Sequence, residues 1–243
     1  MSKEVCWVVD CGEISYSDMI KLQKTVASLR LRNIIPDVLL LAEHEPTITL
    51  GSRASESQLR IMRRVLEQRG IPVVDVQRQG GIMFYMPGQV AGYAIRSLGV
   101  SQVESHVAGI EETLLKTISD YKINAKKGYE SSPDNKRIAG IWTLFRAKEC
   151  KLASIGIDVF QRISMHGFAL NVNTQNEYFD FLDMHGKGAT SMQKVLDRPL
   201  RLQEVKEKLV ENFSKIFNYA ADKKSYLSFL DAVRKVSASV SDE

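Results

Sequence analysis

Residue types that hold metals or form disulfides are scarce in this sequence. The chain has three cysteines, Cys6, Cys11 and Cys150, which form neither a Cys-x-x-Cys pair nor a disulfide framework. An odd number of cysteines without such spacing indicates reduced thiols. The four histidines include no His-x-x-x-His and no Glu-x-x-His spacing. We therefore expect no metal site.

Several signatures of common enzymes are also missing. The sequence contains no P-loop ending in Lys-Ser/Thr, no Gly-x-Gly-x-x-Gly fingerprint and no Gly-x-Ser-x-Gly elbow. These absences argue against the two corresponding nucleotide-binding loops and against a hydrolase of the elbow type. Any chemistry must therefore come from a less common arrangement of side chains.

Neither a long apolar run nor a strong charge imbalance is present. No apolar stretch approaches the ~20 residues that span a bilayer, and the N-terminus carries no secretory signal. The formal net charge is +4, from 33 basic and 29 acidic residues. Such a small excess does not indicate nucleic-acid binding. We expect a cytoplasmic protein that binds neither nucleic acid nor membrane.

Short apolar runs alternate with amphipathic stretches along the chain. Residues 38–41 are typical of a buried strand, and an apolar stripe over residues 103–121 predicts a helix on which His106 faces solvent. The polar residues 128–137 predict a mobile surface loop. Strands and helices intermix without a linker or repeat, which predicts a mixed α/β domain.

Residues 151–159 predict a strand that places a lysine at the head of an apolar row. Alternation along a regular strand puts Lys151 on the same face as Ala153 and Ile155, and Cys150 on the opposite face. Such a lysine either reaches solvent at the strand end or is held partly desolvated, where its charge can act on chemistry. The residues alone leave both possibilities open.

The stretch from Arg78 to Gln89 combines a basic side chain with the paired glycines Gly80 and Gly81. Glycines let backbone amides approach a bound group, and arginine suits a carboxylate, a phosphate or a carbonyl oxygen. A plain hairpin turn would have the same composition. Two His-Gly dipeptides, at 166–167 and 185–186, likewise indicate either oxyanion donors or unrelated loop histidines.

Taken in order, several stretches resemble the octanoyltransferase family of the lipoate pathway, the lipoyl/octanoyl-ACP:protein transferases. The likeness covers about residues 8–196. The stretch from Arg78 to Gln89 is similar to the family signature Arg-Gly-Gly-x-x-Thr-Tyr-His-Gly-Pro-Gly-Gln. The other stretches that carry the resemblance are residues 35–44, residues 47–51, Gly140-Ile-Trp142, Lys151-Leu-Ala-Ser-Ile-Gly156 and His166-Gly-Phe-Ala-Leu-Asn-Val172.

The resemblance implies a single domain like that of biotin and lipoate-protein ligases, with a mixed sheet flanked by helices. Residues 1–220 would form the catalytic domain and residues 221–243 a helical tail. The family transfers a medium-chain acyl group from acyl carrier protein to a lysine of a lipoyl domain, without a cofactor. The expected acceptors are lipoyl domains of 2-oxoacid dehydrogenases or the glycine cleavage H protein.

Family members use a lysine and a cysteine, the lysine lowering the thiol pKa so that the thiolate takes up the acyl group. Lys151 matches the family's lysine. By the same resemblance, further positions are expected to bind substrate: Arg78, Gly80, Gly81, Tyr85, Ser154, Ile155, Gly156, His166, Gly167, Phe168 and Ala169.

The family's cysteine is missing from this sequence. Its Pro-Cys-Gly corresponds to Met184-His-Gly186, so His185 occupies the nucleophile position. Tyr85 and Met86 also replace the His-Gly of the signature, which adds bulk to the expected acyl pocket. We expect His185 to act with Lys151, as a general base towards the incoming lysine or, less favourably, as the acylated group itself.

Two alternatives remain open at the sequence level. Lipoate-protein ligases, which are related, need no cysteine because their donor is an acyl-nucleotide, although this chain lacks their longer Ser-Gly-Gly-Gly signature. The chain could instead be a relative that has lost catalysis and only binds lipoyl domains or an acyl group.

Overall fold

The computed structural model describes residues 3–131, 137–182 and 187–241. The strands are β1 (Glu4–Glu13), β2 (Asp37–Glu43), β3 (Thr47–Leu50), β4 (Val73–Asp75), β5 (Ile82–Tyr85), β6 (Gln89–Ile95), β7 (Lys126–Ser131), β8 (Arg137–Phe145), β9 (Lys148–Phe160), β10 (Ile163–Asn171), β11 (Gly188–Ala189) and β12 (Tyr219–Lys224). The α-helices are α1 (Tyr16–Leu31), α2 (Arg63–Gln68), α3 (Val103–Asp120), α4 (Met192–Leu196), α5 (Leu202–Ile216) and α6 (Tyr226–Ser241).

Within these residues, nine strands form one large mixed sheet in the order β12-β1-β2-β6-β10-β9-β8-β7, with β11 added beside β9. Strands β12, β1 and β2 run parallel, and the neighbours from β2 to β7 are antiparallel. Strands β4, β3 and β5 form a second, small sheet. The predicted mixed α/β fold is confirmed.

Helices cover both faces of the large sheet, so its central strands are apolar on both sides. Strand β2 shows this directly, because Leu39 and Leu41 pack into the core beneath α3 and α5, whereas Val38 and Leu40 pack into the core beneath α1 and α6. A third cluster lies around the small sheet and includes Phe84. None of the described helices has the length and apolar character needed to cross a membrane.

The apolar stripe predicted for residues 103–121 is confirmed by α3, whose Ile110, Leu114 and Ile118 are fully buried. The prediction that His106 faces solvent on this helix is wrong. Its side chain is buried, and its Nδ1 lies 2.9 Å from Nη1 of Arg96. The stripe could not show this, because Arg96 lies outside the helix, directly after β6.

The structure corrects the predicted loop at residues 128–137. Strand β7 extends to Ser131 and β8 begins at Arg137, so both ends of the stretch pair as strands. Residues 132–136 lie outside the described residues. The sequence also predicts a hairpin between residues 141–145 and 151–159, and the structure has one: Arg146 and Ala147 join β8 to β9 with φ of 49° and 60°, as in a tight hairpin turn.

The end of the chain packs onto the rest of the fold. Strand β12 pairs in parallel with β1, and α6 contributes the buried Phe229 and Val233 to the core beneath α1. The domain boundary expected at residue 220 therefore falls inside β12. The division into a catalytic domain and a C-terminal helical tail stays a prediction.

Asp37, at the start of β2, ties several distant elements together. Its Oδ1 accepts hydrogen bonds from Nε of Arg30 at 2.6 Å and from the backbone N–H of Ser97 at 3.1 Å. Its Oδ2 accepts one from the hydroxyl of Tyr219 and lies 3.5 Å from Nε of Arg96. One buried carboxylate thus joins α1, β2, β6 and β12.

Asp37→Asn is expected to destabilise the fold by about 3 kcal/mol, because it leaves two largely buried guanidinium groups without their counter-charge. Urea unfolding followed by circular dichroism measures this. Asp18→Asn is the control, since the exposed Asp18 pairs with the exposed Lys21 and the Ser15 hydroxyl, so its substitution should destabilise the fold much less. Equal effects of the two substitutions would contradict the role given to Asp37.

Three histidines are buried in the described structure. Burial lowers the pKa of His44 to about 4, of His106 to about 3 and of His166 to about 4. Nearby positive charge lowers the last two further, through Arg96 for His106 and through Arg78 and Lys24 for His166. All three imidazoles are therefore neutral in the folded protein at pH 7.

The free energy of unfolding should fall as the pH is lowered from 7.5 to 5.5, a range that lies above the ordinary pKa values of carboxylates. An unfolded histidine takes up a proton near pH 6.5, whereas these folded ones do so only near pH 3 to 4. The stabilisation is complete above pH ~6.5 and is lost as the pH falls below it, with uptake of up to about three protons on unfolding. Urea unfolding at pH 7.5, 6.5 and 5.5 measures the slope. His106→Gln should lower the number of protons taken up on unfolding by about one. A free energy of unfolding that does not change with pH would contradict the neutral state given to the three histidines.

Candidate active site

Lys151 is the fourth residue of β9, and only 4% of its surface is exposed. The β8–β9 pairing shifts at this point, because Ile141 is opposite Ala153 while Trp142 is opposite Lys151, so Leu152 is an extra residue in β9. Such a bulge reverses the alternation of side chains on one side of it. The structure supports the alternative in which Lys151 is held desolvated, not the one in which it reaches solvent.

The bulge overturns the predicted face of Lys151. Ala153, Ile155 and Ile157 belong to the core beneath α3 and α5, and the inserted Leu152 joins them. Lys151 lines a pocket together with Ser154 on the opposite face. The prediction that Lys151 shares the apolar row was wrong, because it assumed a regular strand.

Trp142 and two glycines shape the space around the Lys151 side chain. The Nζ atom of Lys151 lies 5.0 Å from the centre of the Trp142 ring, and that of Lys187 lies 4.4 Å from it. A Cβ atom on Gly140 would come within 3.4 Å of the Lys151 Cε, and one on Gly128 within 2.4 Å of the Trp142 ring. Two ammonium groups therefore share one fully buried indole ring.

The pocket at Lys151 is small and is lined at its base by a hydrogen-bond network. Its volume is about 30 Å³. Gln89 donates from Nε2 to the Asn171 Oδ1 at 2.9 Å, and Asn171 donates from Nδ2 to the backbone oxygens of Thr190 at 3.0 Å and Lys151 at 3.4 Å. The pocket is lined by Gln58, Ile82, Phe84, Gln89, Lys151, Ser154, Asn171, Phe179, Leu182 and Ala189.

His185 falls within residues 183–186, which lie outside the described residues. The described residues on either side of this stretch are both close to the Lys151 site. Leu182 lines the Lys151 pocket, and Lys187 lies on the Trp142 ring. Strand β11 follows at once and pairs in parallel with Cys150 and Lys151.

Cys150 is poorly suited to replace the missing thiol. Burial raises the pKa of its thiol, and the nearby Lys148 offsets this only in part. It lines a different, more open pocket of about 340 Å³ with Lys148, Lys187 and Gly188. A neutral thiol is a weak nucleophile, so Cys150 is a poor substitute for a catalytic thiolate.

Arg78 is completely buried between the small sheet and β9. Its Nη2 donates to the Oγ1 of Thr49 at 2.8 Å and to the Thr49 backbone oxygen at 3.1 Å. The side chain fits between two glycines, because a Cβ on Gly51 would lie 2.7 Å from Nη1 and one on Gly156 2.8 Å from it. Across the described chain Arg78 has no carboxylate partner.

The paired glycines of the signature bind the loop to β3. The carbonyl oxygen of Gly80 accepts a hydrogen bond from the Arg53 N–H at 3.1 Å, and that of Gly81 accepts one from the Gly51 N–H at 3.2 Å. Gly80 has φ +103°, which side chains rarely adopt. Its position in the signature therefore requires glycine.

The remaining expected site residues lie in different parts of the fold. Tyr85 is buried, with its ring centre 4.9 Å from that of Tyr16 and 5.2 Å from that of His44. His166 lines a large cavity beneath α1 rather than the Lys151 pocket. Ile155 and Phe168 belong to the core beneath α3 and α5, Ala169 to the core beneath α1, and Gly167 packs directly on Gly92.

The residues of the Lys151 site that were not among the predicted site residues include Trp142, Gln89 and Asn171. All three stand in the stretches that carry the family resemblance, so position within those stretches was the available signal. Their proximity to Lys151 depends on pairing between β6, β8, β9 and β10, which the sequence does not display.

Chemically, the site presents a buried ammonium group at the end of a narrow pocket with ordered amide side chains. Such a charge can stabilise an oxyanion that forms on a carbonyl carbon. No group of three or more His, Cys, Asp and Glu side chains in the described parts of the chain could hold a metal ion.

The profile of the family described as "Lipoyl protein ligase A/B catalytic domain" matches residues 15–214. An octanoyltransferase of Koribacter versatilis is 36% identical over 217 residues, covering 86% of this chain and 83% of the relative. One from Dictyoglomus turgidum is 35% identical over 228 residues, covering 89% of this chain and 93% of the relative. The resemblance to octanoyltransferases is thereby confirmed.

Solved structures show the same fold. A lipoate-protein ligase A bound with ATP superposes with a TM-score of 0.71 at 15% identity, covering 97% of this chain and 94% of the other. A bipartite lipoate protein ligase from Thermoplasma acidophilum gives 0.70 at 12% identity, covering 97% and 92%. The expected fold is confirmed. The chain belongs to the lipoyl protein ligase A/B catalytic-domain family, and its octanoyltransferase relatives place it among acyltransferases of the lipoate pathway.

Proposed function

We propose that this protein transfers an octanoyl or lipoyl group from the thioester of an acyl carrier protein to a lysine of a lipoyl domain. The observation that carries the proposal is the buried ammonium group of Lys151. It stands next to β11, the strand that immediately follows the stretch containing His185. The acceptors are lipoyl domains of 2-oxoacid dehydrogenases or the glycine cleavage H protein, and the reaction belongs in the cytoplasm.

His185, at the position of the missing thiol, acts as a general base. The incoming lysine is protonated at neutral pH, with an ordinary pKa near ~10.4, and must lose a proton before it attacks. Its nitrogen then bonds to the thioester carbonyl carbon, and the Lys151 ammonium stabilises the oxyanion that forms. When the oxyanion collapses, the carbon–sulfur bond breaks and the carrier sulfur leaves as a thiol, taking the second proton of the attacking nitrogen. The alternative, acylation of His185 itself, is less favourable because an acyl-imidazole hydrolyses readily.

The acyl group is proposed to lie along the face of β9 from Lys151 to Ser154, where Arg78, which covers Gly156, closes the path. Arg78, Gly80, Gly81 and the backbone near Gly156 border the far end of this path. Tyr85 and His166 lie behind Arg78, and Gly167 and Ala169 stand beside the path on β10. Ile155 and Phe168 point into the opposite core, so only their backbone can serve the site.

A second candidate function is binding without transfer. The space of about 30 Å³ at Lys151 is large enough for only about one or two water molecules. An eight-carbon chain fits only if the lining side chains move. This narrow space, together with the missing cysteine, favours a protein that binds lipoyl domains but does not acylate them.

Incubation with apo lipoyl domain and octanoyl-ACP, followed by intact mass of the domain, distinguishes the two functions. Acylation that depends on both Lys151 and His185 is the expected result, with His185→Ala lowering the rate by 100-fold or more, on the order of a lost general base. A parallel reaction with lipoate and ATP tests the ligase alternative. No acylation in either reaction would leave binding as the function. Transfer that persists in His185→Ala would show that the base is misassigned.

His185→Cys is the complementary variant. A thiol at this position should form an acyl-enzyme with octanoyl-ACP that hydroxylamine cleaves, because a thioester reacts with hydroxylamine. Cys150→Ser in the same background keeps the readout specific for position 185. Absence of the adduct would mean that this position does not reach the acyl carbonyl.

Trp142 is expected to position Lys151 for this reaction. Trp142→Leu removes the ring that lies 5.0 Å from the Lys151 Nζ and should lower kcat about tenfold or more, the size of a desolvated cation–π contact. Trp142→Phe keeps a ring and should retain most of kcat. A purely structural role would instead lower the melting temperature of both variants and affect kcat equally.

A further inference from the structure

An open pocket of about 340 Å³ lies beside Cys150, next to the much smaller pocket at Lys151. We call it the Cys150 pocket. It shares three lining residues with the Lys151 pocket, namely Phe179, Leu182 and Ala189. A molecule that fills the Cys150 pocket therefore contacts side chains that also enclose the Lys151 pocket.

The two pockets follow one another along β9. Ser154 and Lys151 line the small pocket, whereas Cys150 and Lys148 line the Cys150 pocket. The proposed acyl path runs from Lys151 to Ser154, so the part of the donor beyond the thioester sulfur is directed the other way, towards Lys148. The three residues from Lys151 to Lys148 span about 10 Å of strand. The Cys150 pocket thus lies where the sulfur side of a thioester donor extends.

Strand β11 presents one of its edges to this pocket. Its residues Gly188 and Ala189 line the pocket and pair in parallel with Cys150 and Lys151. Among the described strands, only β9 pairs with β11. The backbone N–H and C=O groups on the other edge of β11 can therefore bind a ligand, as exposed strand edges bind extended peptides. A ligand with amide groups along its length matches this edge.

Charges of both signs line the Cys150 pocket, and they come from different elements. Lys148 belongs to β9, and Lys187 directly precedes β11. Glu177 and Asp180 come from the 3₁₀ turn over Asn176–Phe181. An anionic ligand group is therefore favoured on the side of the two lysines and disfavoured beside the two carboxylates.

Lys148 is the cation best placed to bind such an anionic group. The Lys187 ammonium is already paired with the Glu149 carboxylate at 2.7 Å, whereas Lys148 forms no ion pair within the described parts of the chain. The Lys148 side chain passes along β11, since a Cβ on Gly188 would lie 3.6 Å from both its Cδ and its Cε. Arg60 lies on the side of the carboxylates, because its backbone N–H donates to the 3₁₀ turn at 2.9 Å.

We propose that the Cys150 pocket binds the phosphopantetheine arm of the thioester donor, an inference that rests on the proposed transfer function. The arm carries its sulfur, two amide groups and its phosphodiester in that order. Lys151, the edge of β11 and Lys148 follow one another along the site in the same order. The amide groups hydrogen-bond to β11, and the phosphodiester accepts a hydrogen bond from the Lys148 ammonium. Coenzyme A carries the same arm and shares this chemistry.

Isothermal titration of the full chain with phosphopantetheine and with pantetheine tests the phosphate contact without any acyl transfer. Phosphopantetheine should bind about tenfold more tightly, the size of one hydrogen bond between charged groups. Lys148→Gln should remove this difference, and Lys148→Arg should retain it. Equal binding of the two compounds by the unaltered protein, or a difference that persists in Lys148→Gln, would overturn the proposal.

Lys223→Gln is the matched control for the loss of one positive charge. Lys223 is exposed on β12, at the far edge of the large sheet from β7, and lies outside the Cys150 pocket. This variant should prefer phosphopantetheine as strongly as the unaltered protein does. An equal loss of preference in Lys223→Gln and Lys148→Gln would show that only the net charge matters, and would overturn the site.

Octanoyl thioesters extend the comparison to transfer. Octanoyl-phosphopantetheine should have a kcat/KM about tenfold above that of octanoyl-pantetheine, and Lys148→Gln should abolish this advantage of the phosphate. Octanoyl-ACP and octanoyl-CoA separate the two natural sources of the arm, and octanoyl-ACP should be the better donor. Equal use of these two donors would support the pocket and refute only the carrier protein as the partner.

The failure of this proposal and the failure of the transfer function give different results. A protein that transfers octanoyl groups from the carrier, and whose preference for the phosphate is unaltered in Lys148→Gln, would overturn the Cys150 pocket alone. A protein that transfers nothing but binds phosphopantetheine through Lys148 would support the pocket and refute only the transferase function.

Discussion

The extra residue in β9 decides which side of the large sheet carries the chemistry. A regular strand would turn Lys151 into the core beneath α3 and α5, where an ammonium group would face Ile155 and Ile157. Leu152 takes that place instead, and Lys151 moves to the face that it shares with Ser154. The single extra residue therefore keeps the Lys151 charge out of the apolar core and places it on the Trp142 ring.

A second buried charge organises the space on that same face. Arg78 passes between Gly51 and Gly156, where no side chain fits, and is fastened to Thr49 in the small sheet. It thus joins the small sheet to β9 and also divides the face into two compartments. The Lys151 pocket lies on one side, and the wide cavity beneath α1 lies on the other. Because Arg78 lacks a carboxylate partner among the described residues, its charge remains available to whatever occupies the neighbouring space.

The site combines the Lys151 side chain, the glycine-rich loop after Arg78 and the network from Gln89 through Asn171 to the Lys151 carbonyl. In the proposed function, His185 occupies the position of the family's thiol. Cys150 is buried, and burial raises the pKa of its thiol. A site of this kind can serve either base-assisted transfer or binding. The two functions differ in the space that they require at Lys151, because transfer needs room for the acyl group.

The sequence by itself determined the class of fold, the helix α3, the strands β2 and β9, and the family, because apolar periodicity and ordered motifs are local properties of the chain. The stripe of α3 and the β8–β9 hairpin could be predicted in this way. Only the tertiary structure decided the face of Lys151, the burial of His106 against Arg96, and the grouping of the expected site residues around separate spaces. Each of these depends on how one strand pairs with another distant in sequence, and a one-residue shift in that pairing changes the face without leaving a local signal.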